Sequence, residues 1–92
     1  MREDIASFDD IKKALEILHL PNLITKDEIK KQYRYLSKKN HPDLGGDAHI
    51  QDEINRAYEV LMEYIEHFRY SFSDDELKHQ FPGVDYATQF RQ

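Results

Sequence analysis

Ser7, Thr25 and Ser73 are each followed three positions later by an acid, namely Asp10, Glu28 and Glu76. In that spacing the hydroxyl accepts the N3 backbone N–H of a new helix, and the acid reaches back to the N-cap N–H. Such boxes commit the chain to punctuated helices, and the apolar periodicity agrees. Ile11, Ala14, Leu15 and Leu18 form one stripe, Ile29, Tyr33 and Leu36 a second. A third runs through Ile50, Ile54, Ala57, Tyr58, Leu61, Ile65 and Phe68, as helical periodicity requires. The expected helices are therefore about Asp9 to Leu18, from the Thr25 box to Lys39, Ala48 to Phe68, and from just after Ser73 to Gln80. Leu20-Pro21-Asn22 should stop the first, and Phe81-Pro82-Gly83 the last. With only three Gly and three Pro in 92 residues, little material is left for a turn-rich β fold.

The expected fold is all-α. Helices two and three make an antiparallel hairpin, a short first helix lies across it, and a short fourth extends the far end. Ile11, Leu15, Leu18, Ile29, Tyr33, Leu36, Ile54, Ala57, Tyr58, Leu61 and Ile65 should form the core. Residues 84–92 read as irregular, with Val84, Tyr86 and Phe90 able to pack back on the body.

Several chemistries are excluded. The absence of Cys removes disulfides, thiolate metal sites and cysteine nucleophiles. No apolar run approaches the roughly 20 residues that cross a bilayer, and the N-terminus MREDIASF lacks the apolar stretch of a signal peptide. A cytoplasmic, reducing setting is the expectation, and the sequence is equally compatible with a fragment of a longer, even membrane-tethered, protein. No Gly-rich phosphate loop or recognisable Ser/Thr nucleophile motif is present. Of the five His, His41 and His49 with Asp43 and Asp47 are the one metal set that can be drawn, and nothing in it has paired-ligand helical spacing. The chain therefore reads as a monomeric binding module, not an enzyme, with no cofactor or metal expected.

Charge locates the binding face. Residues 26–39 hold Lys26, Lys30, Lys31, Arg34, Lys38 and Lys39 against Asp27 and Glu28, a balance of +4; the whole chain is −5, so the rest carries −9. Lys30, Lys31, Arg34 and Lys38 fall within about 100° of one another around the helix, largely opposite the apolar face. Lys26 and Lys39 lie at the margin. A cationic stripe on an acidic body steers toward an acidic partner. A general nucleic-acid or other interaction module using this face is the rival reading, and the acidic body speaks against phosphate binding.

Asn40-His41-Pro42-Asp43-Leu44-Gly45-Gly46-Asp47 joins helices two and three. Pro42 keeps His41 out of the helical region, and the glycines release the chain into an exposed, mobile loop. His-Pro-Asp alone is an ordinary helix stop. Here it sits between a basic, capped helix and a long helix carrying AYEVL, which are independent conditions.

In that context the sequence resembles the J-domain family. Glu28 to Asp43, EIKKQYRYLSKKNHPD, matches the family's basic second helix and its His-Pro-Asp loop. Ile54 to Leu61, INRAYEVL, is similar to the family's third-helix core run, and Ala14 to Leu18, ALEIL, to its opening segment. The resemblance covers residues 9–68 of a single domain spanning 1–92, with 70–92 a divergent extension bearing a short helix. It implies a cochaperone of DnaK-type chaperones, which contacts the ATP-bound ATPase through His41, Pro42 and Asp43 and stimulates hydrolysis. It further implies that Lys30, Lys31, Arg34 and Lys38 face that partner. Three departures stand out: Asn40 replaces a common aromatic, Tyr35 a commonly basic residue, and an acidic stretch from Tyr70 to Leu77 the usual basic fourth helix.

Overall fold

Local capping sets where the helices begin. In the computed structural model, which describes residues 6–83, α1 spans Phe8–Ile17, α2 Lys26–Lys39, α3 Ala48–Glu66 and α4 Asp74–Gln80. The Ser7 hydroxyl accepts the Asp10 N–H at 3.1 Å while the Asp10 carboxylate accepts the Ser7 N–H at 3.0 Å. Thr25 and Glu28 close the same reciprocal box on α2, at 3.2 and 2.9 Å. Donation from the Ser7 and Thr25 backbone N–H, then from their hydroxyls, holds both carboxyls below the usual carboxylate range.

The third box is half made. Ser73 accepts the Glu76 N–H at 3.3 Å, but the Glu76 carboxylate accepts from Gln80 Nε2, and the Ser73 N–H goes to Ser71 Oγ. A seven-residue helix with no buried residue has little packing to fix that acid in the returning rotamer.

α1 ends before the proline. His19 adopts φ 56°, the left-handed conformation, and the chain closes a Schellman pair: Leu20 N–H to the Leu15 carbonyl at 2.8 Å, His19 N–H to the Glu16 carbonyl at 3.0 Å. Gln32 of α2 then donates from Nε2 to the Leu18 carbonyl at 3.0 Å, so one helix satisfies the end of another.

No strand occurs among the described residues. α1 and α2 both pack on α3, α1 the more extensively. Between them lie the fully buried Ala14, Leu18, Ile29, Ile54, Ala57 and Leu61, with Ile11, Leu15, Tyr33, Leu36, Tyr58 and Ile65 half-buried against them. The Tyr33 and Tyr58 rings stack at 4.1 Å and 14°. The α3 stripe outruns this cover at both ends, because only its middle is flanked on both sides. Ile50 and Phe68 each remain 46% exposed, and the helix stops two residues short of Phe68. The packing expected of Val84, Tyr86 and Phe90 falls outside the described residues.

Candidate functional site

The capping box at Thr25 fixes the register of α2, so that burying Ile29 turns Lys31, Arg34 and Lys38 outward. These three line one surface groove with Tyr35 and, from α3, Gln51 and Asn55. Lys30 does not join them: it lies about 40° nearer the apolar face than Arg34, at about 100° per residue, and is half-buried. Of the two marginal cations, Lys39 sits 5.6 Å from the Tyr35 ring centroid, a cation–π contact that occupies it locally. Lys26 is exposed at the start of α2 and does not line the groove.

At the end of the hairpin, the segment expected to be a mobile loop is exposed but built as a hydrogen-bonded turn. Pro42–Leu44 form a single 3₁₀ turn, with Pro42 at its first position, where a missing N–H costs nothing. His41 takes ψ 140°, the extended conformation a following proline demands. Its Nδ1 accepts the Asp43 N–H at 3.1 Å, which requires that the ring carry its proton on Nε2. The Asp43 carboxylate lies 3.7 Å from the same nitrogen and is 90% exposed. His41, Pro42 and Asp43 are thus presented together, with Leu44 exposed beside them.

The turn closes through its glycines. Gly45, at φ 81°, supplies the left-handed residue. Gly46 brings its backbone so near the end of α2 that a Cβ would run into the Asn40 carbonyl. Asn40 then bridges the two stalks: Oδ1 accepts the Asp47 N–H at 3.1 Å, and Nδ2 donates to the Asp47 carbonyl at 2.9 Å. A polar relay continues inward. Nε2 of Gln51 donates to Ser37 Oγ and to Asn55 Oδ1, both at 3.0 Å, and the Tyr33 hydroxyl donates to that same Asn55 oxygen at 2.7 Å.

Sequence reasoning missed Asn40, Gln51 and Asn55 as site residues. The visible signal was small: two amides four apart on α3, beside an otherwise apolar stripe, and an Asn where the helix hands over to the loop. Among the described residues no three His, Asp or Glu side chains group to hold a metal ion, so His41, Asp43, Asp47 and His49 do not form the set that could be drawn. No helix is long and apolar enough to cross a membrane, again among the described residues.

Comparison with known families settles what scaffold this is. The model of the DnaJ domain matches residues 13–71, which takes in part of α1, all of α2 and α3, and the His-Pro-Asp turn between them. The chain belongs to the DnaJ-domain family. Among relatives of this J-domain, a rice (Oryza sativa subsp. japonica) protein named chaperone protein dnaJ A6 is 43% identical over 67 residues, covering 72% of this chain and 16% of its own length. Chaperone protein DnaJ of Finegoldia magna is 40% identical over 81 residues, covering 84% of this chain and 22% of its own. The DnaJ of Lysinibacillus sphaericus is 43% identical over 79 residues, covering 82% and 20%. The J-domain thus spans about a fifth of the length of the relatives it matches. No solved structure matches the chain.

Proposed function

We propose that this J-domain is a cochaperone module: it docks on the ATPase domain of a DnaK-type chaperone in its ATP-bound state and stimulates hydrolysis, supporting protein folding. The observation that carries this reading is the exposed His41-Pro42-Asp43 turn beside a groove lined by Lys31, Arg34 and Lys38, on a scaffold of the DnaJ family. Each part has a physical task. The three cations steer α2 toward an acidic surface, raising the association rate in a salt-dependent way. The exposed Asp43 carboxylate suits a bidentate arginine on the partner. Pro42 and the turn's hydrogen bonds reduce the conformational freedom lost on docking. The domain supplies no reacting atom. It accelerates hydrolysis by binding the hydrolysis-competent arrangement of the chaperone more tightly than the resting one, and thereby shifting that equilibrium.

The test is single-turnover ATP hydrolysis by a DnaK-type chaperone with the wild-type domain and with His41→Gln and Asp43→Asn. Stimulation by the wild type, lost in folded Asp43→Asn and weakened by salt, is the expected result. A folded wild type that stimulates none of several chaperones, or an Asp43→Asn variant as active as wild type, refutes the proposal. Retention of single-stranded or duplex nucleic acid with no dependence on Asp43 would favour the nucleic-acid reading instead.

A further inference from the structure

The hydrogen bonds of the His-Pro-Asp turn fall into two sets with different consequences. Leu44 and Gly46 N–H to the His41 carbonyl, at 2.9 and 3.0 Å, and Gly45 N–H to the Pro42 carbonyl, at 3.0 Å, all lie within residues 41–46. They fix the turn's internal shape, but a rigid turn on two loose stalks could still swing as a unit. The His41 N–H donates to the Lys38 carbonyl at 3.2 Å and holds the start of the turn to α2; what ties the turn across to α3 is the pair of bonds between the Asn40 carboxamide and the Asp47 backbone. Asn40 is the C-cap of α2 and Asp47 the N-cap of α3, so this clamp sets the direction in which His41 and Asp43 are offered.

The clamp calls for one side chain. It must accept an N–H and donate to a C=O of the same residue: a carboxylate cannot donate and a hydrocarbon does neither, while a Ser or Thr hydroxyl carries both functions on one atom of a shorter side chain, where the carboxamide offers them on two separate atoms. Gln carries the same group one methylene further out, beyond this spacing. The Asn40 amide is also held from behind by Gln51 Oε1 at 3.4 Å, and Gln51 in turn by Ser37 and Asn55. The relay ends at Tyr33, whose ring stacks on Tyr58 against the core. A continuous polar chain therefore runs from the packed interior to the base of the turn.

We propose that Asn40 is a positioning residue for the His-Pro-Asp turn, holding it through the Asp47 backbone in the orientation that docks on the chaperone. This rests on the cochaperone reading above. Asn40 touches no partner in this account. It sets the fraction of molecules whose turn is correctly aimed, and apparent affinity scales with that fraction while the response at saturation does not.

The experiment compares Asn40→Ala and Asn40→Asp with wild type, titrating each against a DnaK-type chaperone under single-turnover conditions, with amide hydrogen exchange measured on the same samples. Asn40→Asp keeps the size and the Oδ1 acceptor but sets a carboxylate against the Asp47 carbonyl. Both variants should raise the half-saturating concentration about tenfold while reaching the wild-type maximum, as expected if the competent fraction falls to roughly a tenth. Exchange should quicken at amides of residues 41–47 and stay unchanged in the middle of α2 and α3. A half-saturating concentration within about twofold of wild type in both folded variants overturns the inference. So does a lost maximum at unchanged half-saturation, which would mark Asn40 as a contact residue. If Asn40→Ala proves unfolded, Asn40→Asp decides. A wild type that does not stimulate at all overturns the docking reading and this inference with it, whereas stimulation equal in wild type and variants overturns this inference alone.

Discussion

Replacing His19 by glycine should stabilise the domain. His19 closes α1 at φ 56° and is the only non-glycine residue with positive φ among those described. A residue with a Cβ pays about 1–2 kcal/mol for the left-handed conformation. Glycine avoids that strain but gives the unfolded chain more freedom, which costs back about 0.5–1 kcal/mol. The net gain spans about 0–1.5 kcal/mol and centres on about 0.5–1, and for a domain of this size each kcal/mol moves the melting temperature by about 4–8 °C. A rise of roughly 2–8 °C is therefore expected in a thermal melt followed by circular dichroism. His19 is exposed and its side chain makes no described hydrogen bond, so no interaction of the imidazole offsets the gain. The control is His19→Ala, which removes the imidazole but keeps the Cβ and should show no such rise. A His19→Gly melt at or below wild type refutes the argument from backbone strain. Equal stabilisation by Gly and Ala would refute it too, by placing the effect in the side chain.

Two further outcomes follow from the packing and the caps. Leu18 is fully buried where α1 meets α2 and α3; Leu18→Ala should cost about 3 kcal/mol, read as a lower denaturant midpoint at unchanged slope, and a loss under about 1 kcal/mol would mean the site collapses around the smaller residue. Glu28 has its folded pKa lowered by the Thr25 N–H, so its contribution is fully present above the ordinary carboxylate range and is lost as pH falls through that range to the folded value. Asp10 behaves likewise through Ser7. Thermal stability should thus be level near neutrality and decline on acidification, with a shallower decline in Glu28→Gln, whose amide can still return to the Thr25 N–H without titrating; an identical acid profile in that variant would show the box to be energetically silent.

Much of this architecture was legible along the chain. The boxes at Ser7 and Thr25, the stop at Asn40-His41-Pro42, and the apolar faces of α1, α2 and the middle of α3 all depend on residues three or four apart. Those relationships survive whatever the helices later pack against, and they sufficed to place His41, Pro42 and Asp43 on a turn between α2 and α3 and to bring Lys31, Arg34 and Lys38 to one side. One local signal misled: the Ser73 box is only half made, because the Glu76 carboxylate accepts from Gln80 in place of the Ser73 N–H. The α3 period also runs on through Ile50 and Phe68, which stay 46% exposed.

What only the tertiary structure decided lies between elements. Gln32 closes the end of α1 from 14 residues away, Tyr33 reaches Asn55 across 22, and Asn40 clasps Asp47 across the turn. None of these partners is named by spacing, because each depends on the angle and depth at which two helices dock. Lys30 parts from its neighbouring cations for the same reason: 40° of helix rotation means nothing until one face is buried. The sequence determined that this chain makes a helical hairpin with His-Pro-Asp at its bend, since short-range hydrogen bonds and apolar period are properties of the strand of residues itself. The aim of that tripeptide was decided in three dimensions, by an amide whose two bonds exist only when α2 and α3 stand side by side.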